Sequence, residues 1–504
     1  MSERIPERVR RCLPDQGQEP PRSRRIFTNR ALEFESIEAI GFDMDYTLAV
    51  YRQRAMDELS VAATVAKLVR QGYPRSLEGM TPDPQFAVRG LIIDKERGNL
   101  LKLDRHGYVG RVFHGHQRVP REERKALYSA QRISQDPERF AWADTLFALP
   151  EVTIFAHVVE LIDHHPETFD GPAPSYEAAW NDVRAAIDLC HQDDSIKSVI
   201  KARPGDFLED DPELPAALHK LRSSGKRLFL LTNSFYPYTN VLMTHLLNGR
   251  RPEYEQWQSY FDWIIVGSRK PAFFEPDRVF LEIDPSTGAP SGVEVEVPLR
   301  GRIYQGGGRE GLQEALGVRG DEVLYVGDHI YGDIVKSKKS SSWRTALVIS
   351  ELEHDIEVRE SHRLALQEVE QLSELRNRLA EESGDQRHLL RQVEKLRPED
   401  LEGEGDMAAR AEVLDEALRA TRQRYERLRR HLDHTIDRLR TLRRETGSAF
   451  NPYWGSVFSE RDDTSLFGAQ VENYACVYTS RVSNFGFVSP SRSFHAPHGS
   501  LPHW

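Results

Sequence analysis

At 504 residues, with 29% charged residues, 9% aromatic residues and a formal charge of −11, the chain has a soluble globular composition and is too long for one ordinary core, so two or three modules are expected. The acidic balance argues against a general nucleic-acid binder, which carries a basic face, although a local Lys/Arg cluster still attracts a small phosphate. Three widely spaced cysteines (Cys12, Cys190, Cys476), no run near the roughly 18 apolar residues of a membrane span, and an Arg- and Pro-rich start without an apolar core lead us to expect a cytoplasmic protein with no membrane partner.

Residues 1–24 are rich in Arg, Pro and Gln without periodicity and are expected to be disordered. Residues 25–55 hold the first part of a core: the apolar run Ile37 to Phe42 stops at Asp43-Met44-Asp45-Tyr46-Thr47. Two carboxylates two residues apart at the end of a strand suit magnesium-assisted phosphoryl transfer. Asp43 can attack phosphorus and become an aspartyl-phosphate. Asp45 can protonate the leaving oxygen and later deprotonate water, and Mg2+ offsets the crowding of negative charge. A turn with a solvated acidic pair is the bland alternative.

Residues 56–204 contain long helical patterns, such as Tyr176 to His191, and are too many for a loop; they read as an inserted cap and substrate-specificity region that closes over the site. Within it, Arg184, Asp188 and His191 share a helix face, and Lys197 follows. This strip could read a purine edge, or it could be an Arg184–Asp188 ion pair on a solvated helix.

The core resumes over residues 205–350, where strands alternate with helices as in a parallel α/β sheet with its site at the carboxyl ends. Arg227 to Leu231 leads to Thr232-Asn233-Ser234, whose hydroxyls and amides can hold phosphoryl oxygens. Ile264 to Val266 leads to Lys270, a point charge for nucleophile and phosphate. Val323 to Val326 leads to Asp328 and, five residues on, Asp333, as metal binding needs. Gly306-Gly307-Gly308-Arg309-Glu310-Gly311 matches a dinucleotide fingerprint, but its place between two phosphatase motifs favours a turn capping the next helix. Residues 351–450 carry a heptad seam through Leu414, Leu418, Thr421, Tyr425, Leu428, Leu432, Thr435, Leu439 and Leu442. An earlier helix through Val369, Leu372, Leu375 and Leu379 can be its partner in an intramolecular hairpin; a subunit-joining coiled coil is the other reading. Residues 451–504 form a C-terminal segment ending in a tail with His495, His498 and His503.

The four strand-end motifs are those of the haloacid dehalogenase (HAD) superfamily. Phe42 to Tyr51, Arg269-Lys270-Pro271 with Phe273-Phe274, and Gly327-Asp328-His329-Ile330 resemble, more narrowly, the cytosolic purine 5'-nucleotidase family, over about Arg25 to Tyr478. That resemblance implies a HAD-like Rossmannoid parallel sheet with an inserted cap and a C-terminal helical hairpin. It implies a Mg2+-dependent 5'-nucleotidase for purine nucleoside monophosphates, IMP and GMP preferred, with phosphotransfer to a nucleoside as a side activity and a homo-oligomeric state, dimer or tetramer. Carried over residue by residue, Asp43, Asp45, Thr232, Ser234, Lys270 and Asp333 are catalytic, Asp333 orienting Lys270 or the metal's water. Asp43, the Asp45 carbonyl and Asp328 bind the metal. Phe147 stacks on the base, and Arg184, Asp188, His191, Lys197 and Asn233 bind substrate. Asp144 stands where the animal enzymes have an amide. Ser134-Gln135 and Asn473 depart from their triphosphate-activator site, while Lys339 and Gln470 match it, so the resemblance covers catalysis in full and that site only in part. A HAD phosphatase for another small ester such as a sugar phosphate, or a scaffold built on the heptad segment, are the alternatives.

Overall fold

The structure is a computed structural model that describes residues 20–128, 133, 136–276, 278–330, 342–401, 406–496 and 501–504. The chain divides into two compact units, Met1–Ile356 with Ser456–Trp504, and Glu357–Gly455.

The first unit is organised by a ten-stranded sheet. Its strands run in the order Phe27–Thr28, Val477–Thr479, Arg344–Val348, Val323–Gly327, Ala39–Phe42, Arg227–Leu231, Trp263–Val266, Ile303–Gly306, Phe280–Ile283 and Pro290–Val295. The seven strands from Val477–Thr479 to Ile303–Gly306 are parallel; the first and the last two pair antiparallel. The central strands are buried along nearly their whole length, which is why they read as unbroken apolar runs rather than alternations. From Ala39–Phe42 the chain builds outward first through Arg227–Leu231 and later, on the other side, through Val323–Gly327. The order therefore reverses there, and a crevice opens at the carboxyl ends where ligands bind in such sheets.

Gly41 is required at the middle of this arrangement. A Cβ there would lie 2.2 Å from the Phe229 ring and 2.9 Å from the Tyr325 ring, so the glycine lets aromatics from both neighbouring strands close over it. The triple-glycine segment behaves as expected: Gly308 is the N-cap residue of the helix Arg309–Leu316.

Residues 56–204 hold more than the long helical patterns expected there. Besides helices Gln53–Arg70, Leu149–His164 and Tyr176–Gln192, they contain a five-stranded antiparallel sheet in the order Gln117–Arg118, Val109–His114, Asn99–Leu103, Leu91–Asp94, Phe140–Ala143. The helix Tyr176–Gln192 starts where the Ser175 hydroxyl accepts the Ala178 amide. It buries Ala179, Trp180, Val183, Ala186, Ile187 and Cys190, which leaves Arg184, Asp188 and His191 on its flank.

Two described pieces near the chain ends depart from the expectation. Arg22–Arg24 form a 3-10 turn, and Arg24 Nε donates to Asn484 Oδ1 at 2.5 Å. At the other end Arg22 donates to the carbonyls of His503 and Trp504 at 3.0 and 2.8 Å. His503, expected in a tail, is buried with Nδ1 2.7 Å from the Tyr478 hydroxyl. His498 lies outside the described residues.

The second unit is a hairpin of helices Arg363–Val393 and Met407–Phe450. Thr435, Leu439 and Leu442 of the heptad seam are buried, and Leu414 through Leu432 are half-buried. Arg438 pairs with Glu368 at 2.9 Å and Arg422 with Glu394 at 3.1 Å, so the two helices run antiparallel. No described helix is long and apolar enough to cross a membrane.

Candidate active site

The strand Ala39–Phe42 hands over to the site through one last ladder bond, Asp43 N to Val326 O at 2.9 Å. The chain then curls around Met44, whose carbonyl accepts the amides of Thr47, Leu48 and Ala49 at 3.2, 3.0 and 2.9 Å. Tyr46 takes a left-handed conformation, φ 54°, inside this curl, a local cost that suits a functional loop. Asp43 Oδ1 accepts the Met44 amide at 2.7 Å and lies 3.0 Å from Lys270 Nζ.

Lys270 is held from two sides. Its ammonium donates to the Tyr325 hydroxyl at 2.8 Å, and that hydroxyl donates to Leu231 O at 3.1 Å. The loop around it is pinned by Asn233, whose Oδ1 accepts the Lys270 amide at 2.6 Å and the Ser268 hydroxyl at 2.9 Å while Nδ2 donates to Lys270 O at 3.0 Å. The Asn233 amide thus spends its hydrogen bonds on shaping the lysine loop. Thr232 Oγ1 accepts the Ser234 amide at 3.1 Å.

The second carboxylate sits in a hydroxyl cradle. Asp45 Oδ1 accepts from the Tyr51 hydroxyl at 2.5 Å and Oδ2 from the Ser234 hydroxyl at 2.7 Å. Tyr51 also meets the Tyr238 hydroxyl at 2.9 Å. Burial, and then the charge of Asp45, push the Tyr51 phenol well above its usual range, so it remains a donor at neutral pH.

Asp43, Asp45, Asn233, Ser234 and Asp328 line one cavity of about 330 Å³ together with Phe147, Arg184, Asp188, His191 and Lys197. Thr232 and Lys270 do not line it; Lys270 reaches it through Asp43. Asp333 lies outside the described residues. Phe147 meets the Tyr46, Tyr51 and His191 rings edge-on at 4.7, 5.9 and 6.1 Å, which ties this wall to the Asp45 loop. Burial, then Lys197, lower the pKa of His191, favouring the neutral ring. Lys197 Nζ lies 5.6 Å over the Tyr238 ring, and His329 Nε2 lies 3.2 Å from Asp144 Oδ2.

The local Arg184–Asp188 pair exists, at 3.5 Å, but it is the looser of two. Arg184 NH1 sits 2.9 Å from both oxygens of Glu151, an acid on the facing helix that is only 4% exposed. Burial pushes the Glu151 carboxyl up to about 7 against the pull of Arg184. Sequence reasoning missed Glu151; its signal was a lone acid in the apolar run Leu149 to Ile154. Tyr238 and Tyr325 were missed as well, and nothing local marks them.

Asp43, Asp45 and Asp328 all line this cavity, and their side chains carry carboxylate oxygens. Such hard oxygen donors fit Mg2+, which takes one or two carboxylates and completes its shell with water and phosphate.

The match to a family model described as the 5' nucleotidase family spans residues 26–504. The chain is 29% identical over 486 residues to a 5'-nucleotidase domain-containing protein of Dictyostelium discoideum, covering 95% of this chain and 74% of that one. It is 30% identical over 346 residues to the human 5'-nucleotidase domain-containing protein 2, covering 66% of this chain and 64% of the human protein, less than two thirds of its length. Among solved structures, CbbY from Rhodobacter sphaeroides in complex with phosphate aligns with 62% of this chain and 86% of its own, at 15% identity and a TM-score of 0.23. That likeness is loose, and the fold rests on the sheet order itself. The chain belongs to the 5'-nucleotidase family of hydrolases.

Proposed function

We propose that this chain is a Mg2+-dependent 5'-nucleotidase that hydrolyses purine nucleoside 5'-monophosphates, IMP and GMP before AMP. The observation that carries the reading is that one cavity joins Asp43, Asp45, Ser234 and Asp328 to a wall of Phe147, Arg184, Asp188, His191 and Lys197. Asp43 attacks phosphorus as the bond to the nucleoside O5' breaks, and Asp45 delivers a proton to that oxygen. Asp45 then takes a proton from water, whose oxygen displaces the carboxylate of Asp43 and yields phosphate. Tyr51 and Ser234 fix the rotamer of Asp45 through both steps. Lys270, held by Tyr325, pairs with Asp43 and keeps it aimed, and Ser234 on the cavity wall steadies the phosphoryl group, with Thr232 behind it accepting the Ser234 amide. Asp43, Asp328 and the Asp45 carbonyl would hold Mg2+, which when bound supplies positive charge to the phosphoryl oxygens. Asp333 completes the catalytic set.

On the opposite wall, Phe147 offers a ring to the base. A 6-oxopurine has an N1–H that Asp188 can accept and an O6 that Arg184 can meet; adenine presents the reverse pattern. The buried Glu151 supports this reading, because it holds the guanidinium toward the cavity. A homo-oligomer and a cytoplasmic setting accompany the proposal; light scattering measures the first. The test is phosphate release from IMP, GMP, AMP, CMP and UMP with Mg2+ and again with EDTA. Release that needs Mg2+ and favours IMP and GMP is expected. Release without base preference would leave the phosphatase chemistry and discard the purine wall.

A further inference from the structure

Three side chains with metal-binding atoms meet in the cap, and none of them lines the cavity described above. His116 lies in the turn between Val109–His114 and Gln117–Arg118. His157 and Glu160 are one turn apart on helix Leu149–His164. A ligating atom from each lies within 4.8 Å of the other two. His116 Nδ1 is 3.0 Å from Glu160 Oε2, the His116 amide donates to Glu160 Oε1 at 3.0 Å, and the two imidazoles are centred 5.6 Å apart. Gly115 makes the approach possible: its φ is +57°, and a Cβ there would lie 2.6 Å from Glu160 Cγ.

An ion pair between His116 and Glu160 accounts for two of the three. It leaves His157, a half-buried imidazole with no hydrogen bond among the described residues, facing a second imidazole. Burial, then His116, lower the pKa of His157, so near neutrality its ring carries a lone pair. Burial opposes ionisation of Glu160, but the hydrogen bonds from His116 hold its carboxyl below the usual range. Two imidazole nitrogens and a carboxylate form the donor set of zinc sites that keep one position open. Magnesium instead asks for an octahedron of oxygens. Ligands of a tetrahedral zinc lie about 3.4 Å apart, so closure from the present spacing needs rotamer adjustments on the order of 1 Å.

We infer that His116, His157 and Glu160 form a binding site for a zinc-class divalent transition metal, separate from the phosphoryl-transfer pocket. The ion would staple the β-hairpin of the cap sheet to the helix whose first turn carries Glu151, about 13 Å along the axis from Glu160. It would therefore stiffen the wall that holds Arg184.

The experiment uses the full chain, stripped with EDTA, dialysed into Mg2+ and titrated with Co2+ as a spectroscopic probe, then with Zn2+. Wild-type protein is expected to show one saturable site with the visible absorption of imidazole-bound Co2+, displaced by Zn2+. His157→Gln is expected to bind at least tenfold more weakly and to lose the Zn2+-dependent rise in Tm, while phosphate release in Mg2+ without Zn2+ stays at the wild-type level. Glu160→Gln serves as the second variant should His157→Gln fail to fold. The inference is overturned if wild type binds no Co2+, or if the folded variants bind it with wild-type affinity and stoichiometry, which would leave a plain ion pair beside a packed histidine.

Discussion

The buried acid behind Arg184 makes stability depend on pH in a way that one substitution removes. The Glu151 carboxyl is raised from 4.5 to about 7, first by burial. Below about pH 4.5 it is protonated in both folded and unfolded chains and carries no cost. Between 4.5 and 7 the unfolded chain gives up the proton while the folded one keeps it, so stability falls as pH rises through that window. At about 1.36 kcal/mol per pH unit, the full cost above pH 7 is on the order of 3 kcal/mol. Glu151→Gln keeps the shape and cannot ionise; Arg184, 52% exposed, keeps water and Asp188 as partners. The variant is expected to match wild type near pH 5 and to be more stable by about 2–3 kcal/mol near pH 8. Urea midpoints of both proteins across that range provide the assay, and the difference cancels other groups such as Asp57, whose carboxyl burial also pushes up to about 7. A difference that stays flat with pH, or has the opposite slope, refutes the assignment.

Tyr51→Phe removes a donor from Asp45; a hydrogen bond to a charged group contributes about 1.5–3 kcal/mol, so kcat for IMP should fall roughly ten- to a hundredfold with KM little changed, by steady-state kinetics. Gly41→Ala forces a methyl into the Phe229 and Tyr325 rings; urea unfolding should show a loss of about 1–3 kcal/mol, and kcat should fall because Tyr325 backs Lys270. Phe147→Ala removes a stacking surface worth about 1–3 kcal/mol per base, so KM for IMP should rise about tenfold or more while p-nitrophenyl phosphate turns over almost unchanged. Equal losses on both substrates would place Phe147 in packing alone.

The strands that carry the motifs were legible because parallel strands buried on both faces show as short apolar runs, and each run ended in a polar residue that now sits at the cavity or just behind it. The cap sheet was illegible for the opposite reason. Asn99–Leu103 is buried throughout yet contains Asn99 and Lys102, and Lys102 is tolerated because it donates to the carbonyls of Ser456 and Ser459, more than 350 residues away. Spacing reveals partners on one helix and hides those across two: it offered Asp188 to Arg184 and concealed Glu151. The Lys270–Tyr325 bond was hidden likewise, since it joins a loop after one strand to the middle of another. Asn233 was expected on the substrate; it lines the cavity, and its amide also shapes the lysine loop, a use that depends on two strand ends lying side by side.

Asp43 as the nucleophile is tested by IMP phosphate release from Asp43→Asn beside wild type, with Tm recorded for both. A folded variant whose kcat falls by about a thousandfold or more is expected, because Asn233, Tyr325 and the Lys270 loop remain while the attacking oxygen is gone. A folded Asp43→Asn protein that keeps turnover within about tenfold of wild type would contradict it, and the covalent mechanism with it.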